Sequence, residues 1–338
     1  MTEITTNVDI GFAEVCEHWK VESRIFPSKI GGKPAWLDLD NVPNAEDLRC
    51  NICKRVLIFL CQIYAPYEED GDNFHRTIYI FVCKNETCCI PNQGDNFKVF
   101  RSSLKRVNKF YSSDPPDEVE DANFTLTAWV GLCNLCGCSA SKHCGKCKKV
   151  LYCCPEHQIT DWKERHKYEC EKKDGSNNVT RILFPEYQLV TESEELCESQ
   201  VDEKAEMEKF NEMAMEGKTG VLSDVPTPDL ESHVLGSEDK VFRDFRKRVS
   251  HNKDQVLRYE RGGKPLWMAE TPLPSLISNC EYCGGERQFE FQIMPQMLAV
   301  IKELTLDWGV LCVYTCKKSC NVGPNYKCEY VFKQDVTK

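Results

Sequence analysis

Residues 31–36 read GGKPAW and residues 262–267 read GGKPLW, and the pattern continues beyond each run. Nineteen residues after Gly31 comes Cys50-x2-Cys53; after a similar gap from Gly262 comes Cys280-x2-Cys283. In both copies a glutamine, Gln62 or Gln292, lies nine residues past the second cysteine. A further apolar run then ends in cysteines, TIYIFVC into Cys83-x4-Cys88 and GVLCVYTC into Cys316-x3-Cys320. Self-similarity of this kind marks an internal duplication.

The apolar runs are rich in β-branched and aromatic residues, which suit a pleated surface. Strands are expected over about 56–64 and 77–82 in the first copy, and over 288–294 and 309–315 in the second. If the two strands of a copy are antiparallel neighbours, the start of one lies beside the end of the other. Cys50, Cys53, Cys83 and Cys88 then meet, as do Cys280, Cys283, Cys316 and Cys320, much as in a zinc ribbon. Alternatively these are small buried hydrophobes, a reading that Cys16, Cys61, Cys89, Cys197, Cys312 and Cys328 fit better. The Gly-Gly runs lack the Walker order of glycines, Lys and Ser/Thr, so they read as turns at positive φ with Trp36 or Trp267 packed beneath. Residues 295–304 (PQMLAVIKEL) read as a short amphipathic helix inserted in the second copy.

Between the copies, residues 133–170 read CNLCGCSASKHCGKCKKVLYCCPEHQITDWKERHKYEC. Four ligand pairs stand out: Cys133-x2-Cys136, Cys144-x2-Cys147, Cys153-x3-His157 and His166-x3-Cys170. Eight soft ligands at this spacing are enough for two tetrahedral Zn²⁺ ions. Pro155 suits a helix N-terminus, and His166 and Cys170 fall four apart on one helical face. So short a segment has little apolar surface, and metal binding would supply most of its folding free energy. Spacing leaves interleaved and sequential pairing open; Cys138, His143 and Cys154 are set aside as non-ligands.

This segment resembles the MYND zinc finger, down to Tyr152-Cys153, Gln158, Asp161, Trp162 and His166. His157 stands where many such fingers carry cysteine, and imidazole is an equally feasible zinc ligand. The resemblance implies cross-bracing, with Cys133, Cys136, Cys153 and His157 on one ion and Cys144, Cys147, His166 and Cys170 on the other. It also implies a shallow groove for proline-rich peptides or corepressors at Gln158 and Trp162, although Trp162 fits the finger's small core equally well.

The chain has 338 residues, 41% hydrophobic, which allows two or three domains with cores of their own. It carries 22 cysteines, yet its first thirty residues hold no signal-peptide run and no stretch is apolar enough to span a membrane. Cys-x2-Cys spacing then argues for reduced, metal-bound thiols and for a protein of the cytoplasm and nucleus. A net charge of −10 repels phosphate backbones, which disfavours direct nucleic-acid binding and favours a basic partner. From Glu192 to Asp239 fifteen Asp and Glu face three Lys, which reads as a disordered linker. Residues 114–121 (DPPDEVED) form a smaller acidic loop, and residues 181–191 (RILFPEYQLVT) a strand of the folded part.

The expected architecture is therefore β-rich α+β: a lobe over 8–128, the finger over 130–172, a joining strand segment over 173–191, the linker over 192–239 and a second lobe over 240–338. A MYND finger between two such lobes resembles the programmed cell death protein 2 family, in DIGFAE (9–14), RIFPSK (24–29), FPEYQ (184–188) and FKQDVT (332–337). The resemblance implies β lobes like those of the YwqG-like proteins. It also implies a chaperone for a basic small-subunit ribosomal protein of the universal S-five type, acting in 40S maturation. A nuclear MYND-type adaptor in transcription or apoptosis is the second reading. The Asn-His-x-Cys segment of SET methyltransferases, a Gly-x-Ser-x-Gly turn and a zinc-protease helix are all missing from the sequence, so no enzymatic activity is expected.

Overall fold

The computed structural model describes residues 3–170, 181–197 and 240–335, so most of the expected acidic linker lies outside the described residues. Ten strands close on themselves in the order β1 (Glu3–Glu14), β8 (Tyr187–Cys197), β2 (Lys29–Ile30), β3 (Ile58–Tyr64), β4 (His75–Val82), β5 (Phe97–Leu104), β12 (Tyr326–Gln334), β11 (Val310–Cys316), β10 (Arg287–Ile293) and β9 (Leu257–Tyr259). Every pairing in this barrel is antiparallel. A two-stranded sheet of β6 (Lys142–His143) and β7 (Leu151–Tyr152) belongs to the finger. Among the described residues the α-helices are few and short: α1 (Pro155–Asp161), α2 (Lys167–Glu169), α3 (Lys240–Ser250) and α4 (Gln296–Ile301). The β-rich class expected from the sequence holds.

The duplication runs deeper than the Gly-Gly turns. Exchanging β1–β5 for β8–β12 leaves the order of neighbours unchanged, so the barrel has a pseudo-two-fold arrangement. β8, expected as a joining segment, is thus the counterpart of β1. The first strand of each half crosses over to the other: β1 pairs with β9, and β8 with β2. At the opposite seam β5 pairs with β12, placing Lys327 against Arg101 and Glu329 against Val99. Two lobes with open edges thereby become one closed sheet, and closure removes strand edges.

β3, β4, β10 and β11 lie within two residues of their expected bounds. β8 differs, continuing to Cys197 where an acidic linker was expected from residue 192. Neutralisation explains the difference. Glu194 is fully buried, and its carboxylate accepts from Arg258 Nη1 at 2.7 Å and from Arg248 Nε at 2.9 Å. The amphipathic run at 295–304 forms α4, whose Met297 and Ile301 are buried.

Alternation along the strands gives each half an inner and an outer face. Ile78, Ile80 and Val82 of β4 join Phe291, Ile293, Leu311 and Val313 in one core inside the barrel. Tyr79 and Phe81 point the other way, into a second cluster with Trp36 and finger residues Cys133, Leu135 and Tyr152. The outer face of the second half is covered by α3, through Phe245 and Val249, and by Met268.

One end of the barrel interior is charged. Arg76 of β4 and Glu290 of β10 are both fully buried and meet in a bidentate pair, Nη1–Oε1 2.5 Å and Nη2–Oε2 2.7 Å. Tyr259 of β9 donates to Glu290 Oε1 at 3.0 Å, and Thr315 of β11 donates to Oε2. Burial pushes the Glu290 carboxyl up, but the Arg76 charge and hydrogen bonds outweigh it and hold it at about 2. A carboxyl lowered in this way stabilises the fold above the ordinary range near pH ~4.3, and the contribution is lost as pH falls through about 2. Arg76→Met strands Glu290 and is expected to lower unfolding stability by about 3–5 kcal/mol in urea denaturation. The double variant Arg76→Met/Glu290→Met should lose much less and show a flatter stability profile between pH 2 and 4.5 than the parent.

Candidate metal centres

Four sets of ligand atoms converge, each within 4.8 Å of its own members: Cys50, Cys53, Cys83 and Cys88; Cys133, Cys136, Cys153 and His157; Cys144, Cys147, His166 and Cys170; and Cys280, Cys283, Cys316 and Cys320. All sixteen residues singled out in the sequence fall into these sets, and the finger's are interleaved rather than sequential. In each half the mechanism is strand adjacency. Ile58 of β3 lies opposite Val82 of β4, and Arg287 of β10 opposite Cys316 of β11, so the cysteine pairs flanking those positions meet.

All four Cys-x2-Cys turns share one backbone device. The residue after the second cysteine adopts positive φ: Lys54 at 62°, Gly137 at 75°, Lys148 at 56° and Gly284 at 69°. Its N–H donates to the carbonyl of the first cysteine, at 3.1, 2.9, 3.0 and 2.8 Å respectively. Such a knuckle turns both thiols toward one point. Only Gly137 and Gly284 announce it in the sequence, because Lys54 and Lys148 are residues that seldom take this conformation.

The spacing of the sulfurs suits zinc. Four thiolates at a Zn–S distance of about 2.3 Å lie roughly 3.8 Å apart in a tetrahedron. Sγ–Sγ distances are 3.5 Å for Cys53–Cys83, 3.7 Å for Cys136–Cys153, 3.7 Å for Cys280–Cys320 and 3.7 Å for Cys283–Cys316. His157 Nδ1 lies 3.2 Å from Cys153 Sγ, and His166 Nε2 lies 3.4 Å from Cys147 Sγ. Burial pushes the Cys147 thiol up, but N–H groups of Lys149 and Val150, with the neighbouring Cys144 and Cys170 thiols, bring it down to about 6. Cys53 is brought down to about 7 against the same burial, first by the Arg55 N–H. Others of the same sets move the opposite way, Cys170 pushed up to about 11 and Cys88 also upward, burial first, so in each set one thiol gives up its proton ahead of another; thiolate is the form that binds metal. No disulfide joins the described cysteines.

In the finger, α1 begins at Pro155, with Cys154 Sγ at the N-cap accepting from His157 N at 3.4 Å. A regular helix was expected through Cys170, but Trp162–His166 form a π turn before α2. π turns often occur at functional sites, and this one sits where His166 is aimed at the second ligand set. Asp161, buried in the finger, accepts from Tyr152 Oη at 2.7 Å, Asn134 Nδ2 at 2.8 Å and Arg165 Nε at 3.1 Å. It thus braces the residues beside ligands Cys153 and Cys133. Cys138 is also close, with Sγ 3.1 Å from Cys136 Sγ, although it belongs to none of the four sets. Gln158 and Trp162 are half-buried, with the Trp162 ring 5.9 Å from that of His166 and packed on the shared cluster.

The finger is built into the first half. Trp36 is fully buried, and its Nε1 donates to Gly137 O at 2.6 Å. A Cβ at Gly137 would lie 2.9 Å from Lys33 Cβ, so glycine permits this contact as well as the knuckle. Trp267, the counterpart of Trp36, is only half-buried, against Phe332. The repeated glutamines have a matching task. Gln62 accepts from Ala35 N at 2.9 Å and donates to Ala35 O at 3.1 Å; Gln292 accepts from Leu266 N at 2.6 Å and donates to Leu266 O at 3.1 Å. Each clamps the residue before the tryptophan, a role the repeat flagged but could not define. Glu329 gave no sequence signal. It accepts from Arg101 Nε at 2.7 Å, Arg287 Nε at 3.1 Å and Cys316 N at 3.0 Å, bracing the last ligand set from inside the barrel.

Comparison with known proteins follows the same divisions. The family model "Programmed cell death protein 2, N-terminal domain" matches residues 7–118, "MYND finger" 133–170 and "Programmed cell death protein 2, C-terminal putative domain" 239–335. Programmed cell death protein 2 of Mus musculus is 40% identical, over 98% of this chain and 97% of its own length. Programmed cell death protein 2-like of Homo sapiens is 26% identical, over 87% and 85%. "Probable 20S rRNA accumulation protein 4" of Schizosaccharomyces pombe is 24% identical, over 94% of each. No solved structure matches the chain. Asp161→Ala is expected to weaken zinc retention by the finger about 10–100-fold. Competition with a chromogenic chelator reads the effect, and retention by Cys280, Cys283, Cys316 and Cys320 should not change.

Proposed function

The chain belongs to the programmed cell death protein 2 family, and we propose that it is a zinc-built, non-enzymatic chaperone that captures a basic small-subunit ribosomal protein for ribosome formation. The observation that carries this reading is the name of the fission-yeast relative, which ties a full-length homologue to the accumulation of 20S rRNA. Charge supports the nature of the client. A chain of net charge −10 attracts a protein whose unassembled surface is meant for rRNA and repels the rRNA itself. The client we favour is of the universal S-five type, met in the cytoplasm and nucleus.

We assign one zinc ion to each of the four ligand sets. With four protein ligands each, they are closed sites with no position for a catalytic water, which is why we read them as structural. Native mass spectrometry should find four ions per chain. Cys280→Ser/Cys316→Ser should leave three, and a count of two in the parent would confine zinc to the finger.

Affinity purification of the tagged chain from cells should recover a small-subunit ribosomal protein. Trp162→Ala should weaken peptide partners of the finger while leaving that capture intact. A point substitution is the suitable probe, because deleting the finger would expose Trp36 and its cluster. Recovery of corepressors without any ribosomal protein would favour the transcriptional adaptor instead.

A further inference from the structure

The acidic run at 114–121 lines an open cavity of about 390 Å³ on the first half of the molecule. Its apolar wall consists of Phe26, Phe110, Tyr111 and Phe124. Phe26, Phe110 and Tyr111 form one aromatic cluster: Phe26 meets Tyr111 edge-on at 4.9 Å, and Phe110 lies 6.2 Å from Tyr111. Tyr111 Oη donates to Trp36 O at 2.8 Å, which fixes this wall to the tryptophan that holds the finger. The same cavity is also lined by Asp114, Asp117, Glu120 and Asp121, all exposed.

The positive charge nearby is already engaged. Arg24 lies in the cavity wall, but its Nε pairs with Glu22 at 3.2 Å. Its Nη1 donates to Asp117 O at 3.1 Å and its Nη2 to Val119 O at 2.5 Å. Arg24 therefore ties down the acidic loop through main-chain carbonyls and not through its carboxylates. Lys109 pairs with Asp40, and its Nζ lies over the Phe110 ring at 5.1 Å, so one face of Phe110 already carries a cation. Among the described residues no Lys, Arg or His forms an ion pair with the four lining carboxylates.

We propose that this cavity takes an arginine side chain from an extended basic segment of the client. A planar guanidinium stacks on aromatic faces and accepts carboxylates in its fork, whereas a lysine ammonium is a compact, strongly hydrated charge. Aromatic wall and acidic lining together therefore discriminate between the two cations. Phosphate and lipid headgroups are repelled by the same carboxylates. The proposal rests on the reading of a basic client and adds the place where it docks.

Binding of fluorescent octa-arginine and octa-lysine to the full chain tests it. Octa-arginine should bind about fivefold or more tighter than octa-lysine, and Phe124→Ala should erase the difference. Asp117→Asn/Glu120→Gln/Asp121→Asn should weaken octa-arginine about tenfold, whereas Asp254→Asn/Glu286→Gln/Asp307→Asn, equal in charge and distant in sequence, should not. Thermal melts of the exposed-loop variant establish that it folds. Unchanged octa-arginine affinity in that variant, or an equal loss in the control, overturns the proposal. So does loss of octa-arginine binding with capture of the ribosomal protein intact. A parent chain that binds octa-arginine through these carboxylates but recovers no ribosomal protein sinks the chaperone reading and leaves the arginine site standing.

Discussion

Backbone pairing between the two halves governs the rest of this molecule. Each half contributes five strands, and taken alone each leaves four edges of unpaired N–H and C=O groups: both sides of its first strand and the outer sides of its second and fifth. The pairing of β5 with β12 and the crossing of β1 and β8 consume all of those edges. Once the sheet is closed, its inner face must hold side chains from both halves, and the apolar core does so. The buried Arg76–Glu290 pair then becomes a register pin. It joins β4 to β10 across the interior, and the two Glu290 oxygens gain their further donors, Tyr259 and Thr315, only when β9 and β11 also lie in place.

The outer faces are treated differently, and that difference gives the molecule its asymmetry. Over the first half, the finger supplies the cover through Leu135, Tyr152 and its cysteines, while Trp36 bonds Gly137. Over the second half a helix does the same work, and Trp267 remains half-buried. Two copies of one sequence motif therefore end in different surroundings. One feature is still common to both, since each half has its own set of four cysteines at the matching strand ends.

Much of this was legible because local chemistry and spacing carried it. Cysteine pairs at the ends of two apolar runs predict their own meeting, provided the runs are antiparallel neighbours, and β3–β4 and β10–β11 are. The ligands His166 and Cys170 were found, but not the π turn before them, because no residue type encodes it. Knuckles ending in glycine were readable, whereas those ending in Lys54 and Lys148 required the backbone. Composition misled at 192–197, where acidic residues imply solvent. Glu194 is buried, because its partners Arg248 and Arg258 lie more than fifty residues downstream. The crossover of β1 and β8 had no local signature at all.

That crossover bears on how the chain is made. Asp9 of β1 faces Ser193 on one side and Tyr259 on the other, so β1 emerges during translation well before either of its partner strands is synthesised. Until they arrive, a nascent chain holds an unzipped ribbon and half a core, and contacts this distant in sequence form slowly. Losing the C-terminal half would therefore not yield a working half-molecule but a sheet with both flanks open to aggregation. A chain built this way needs shelter while it is being born.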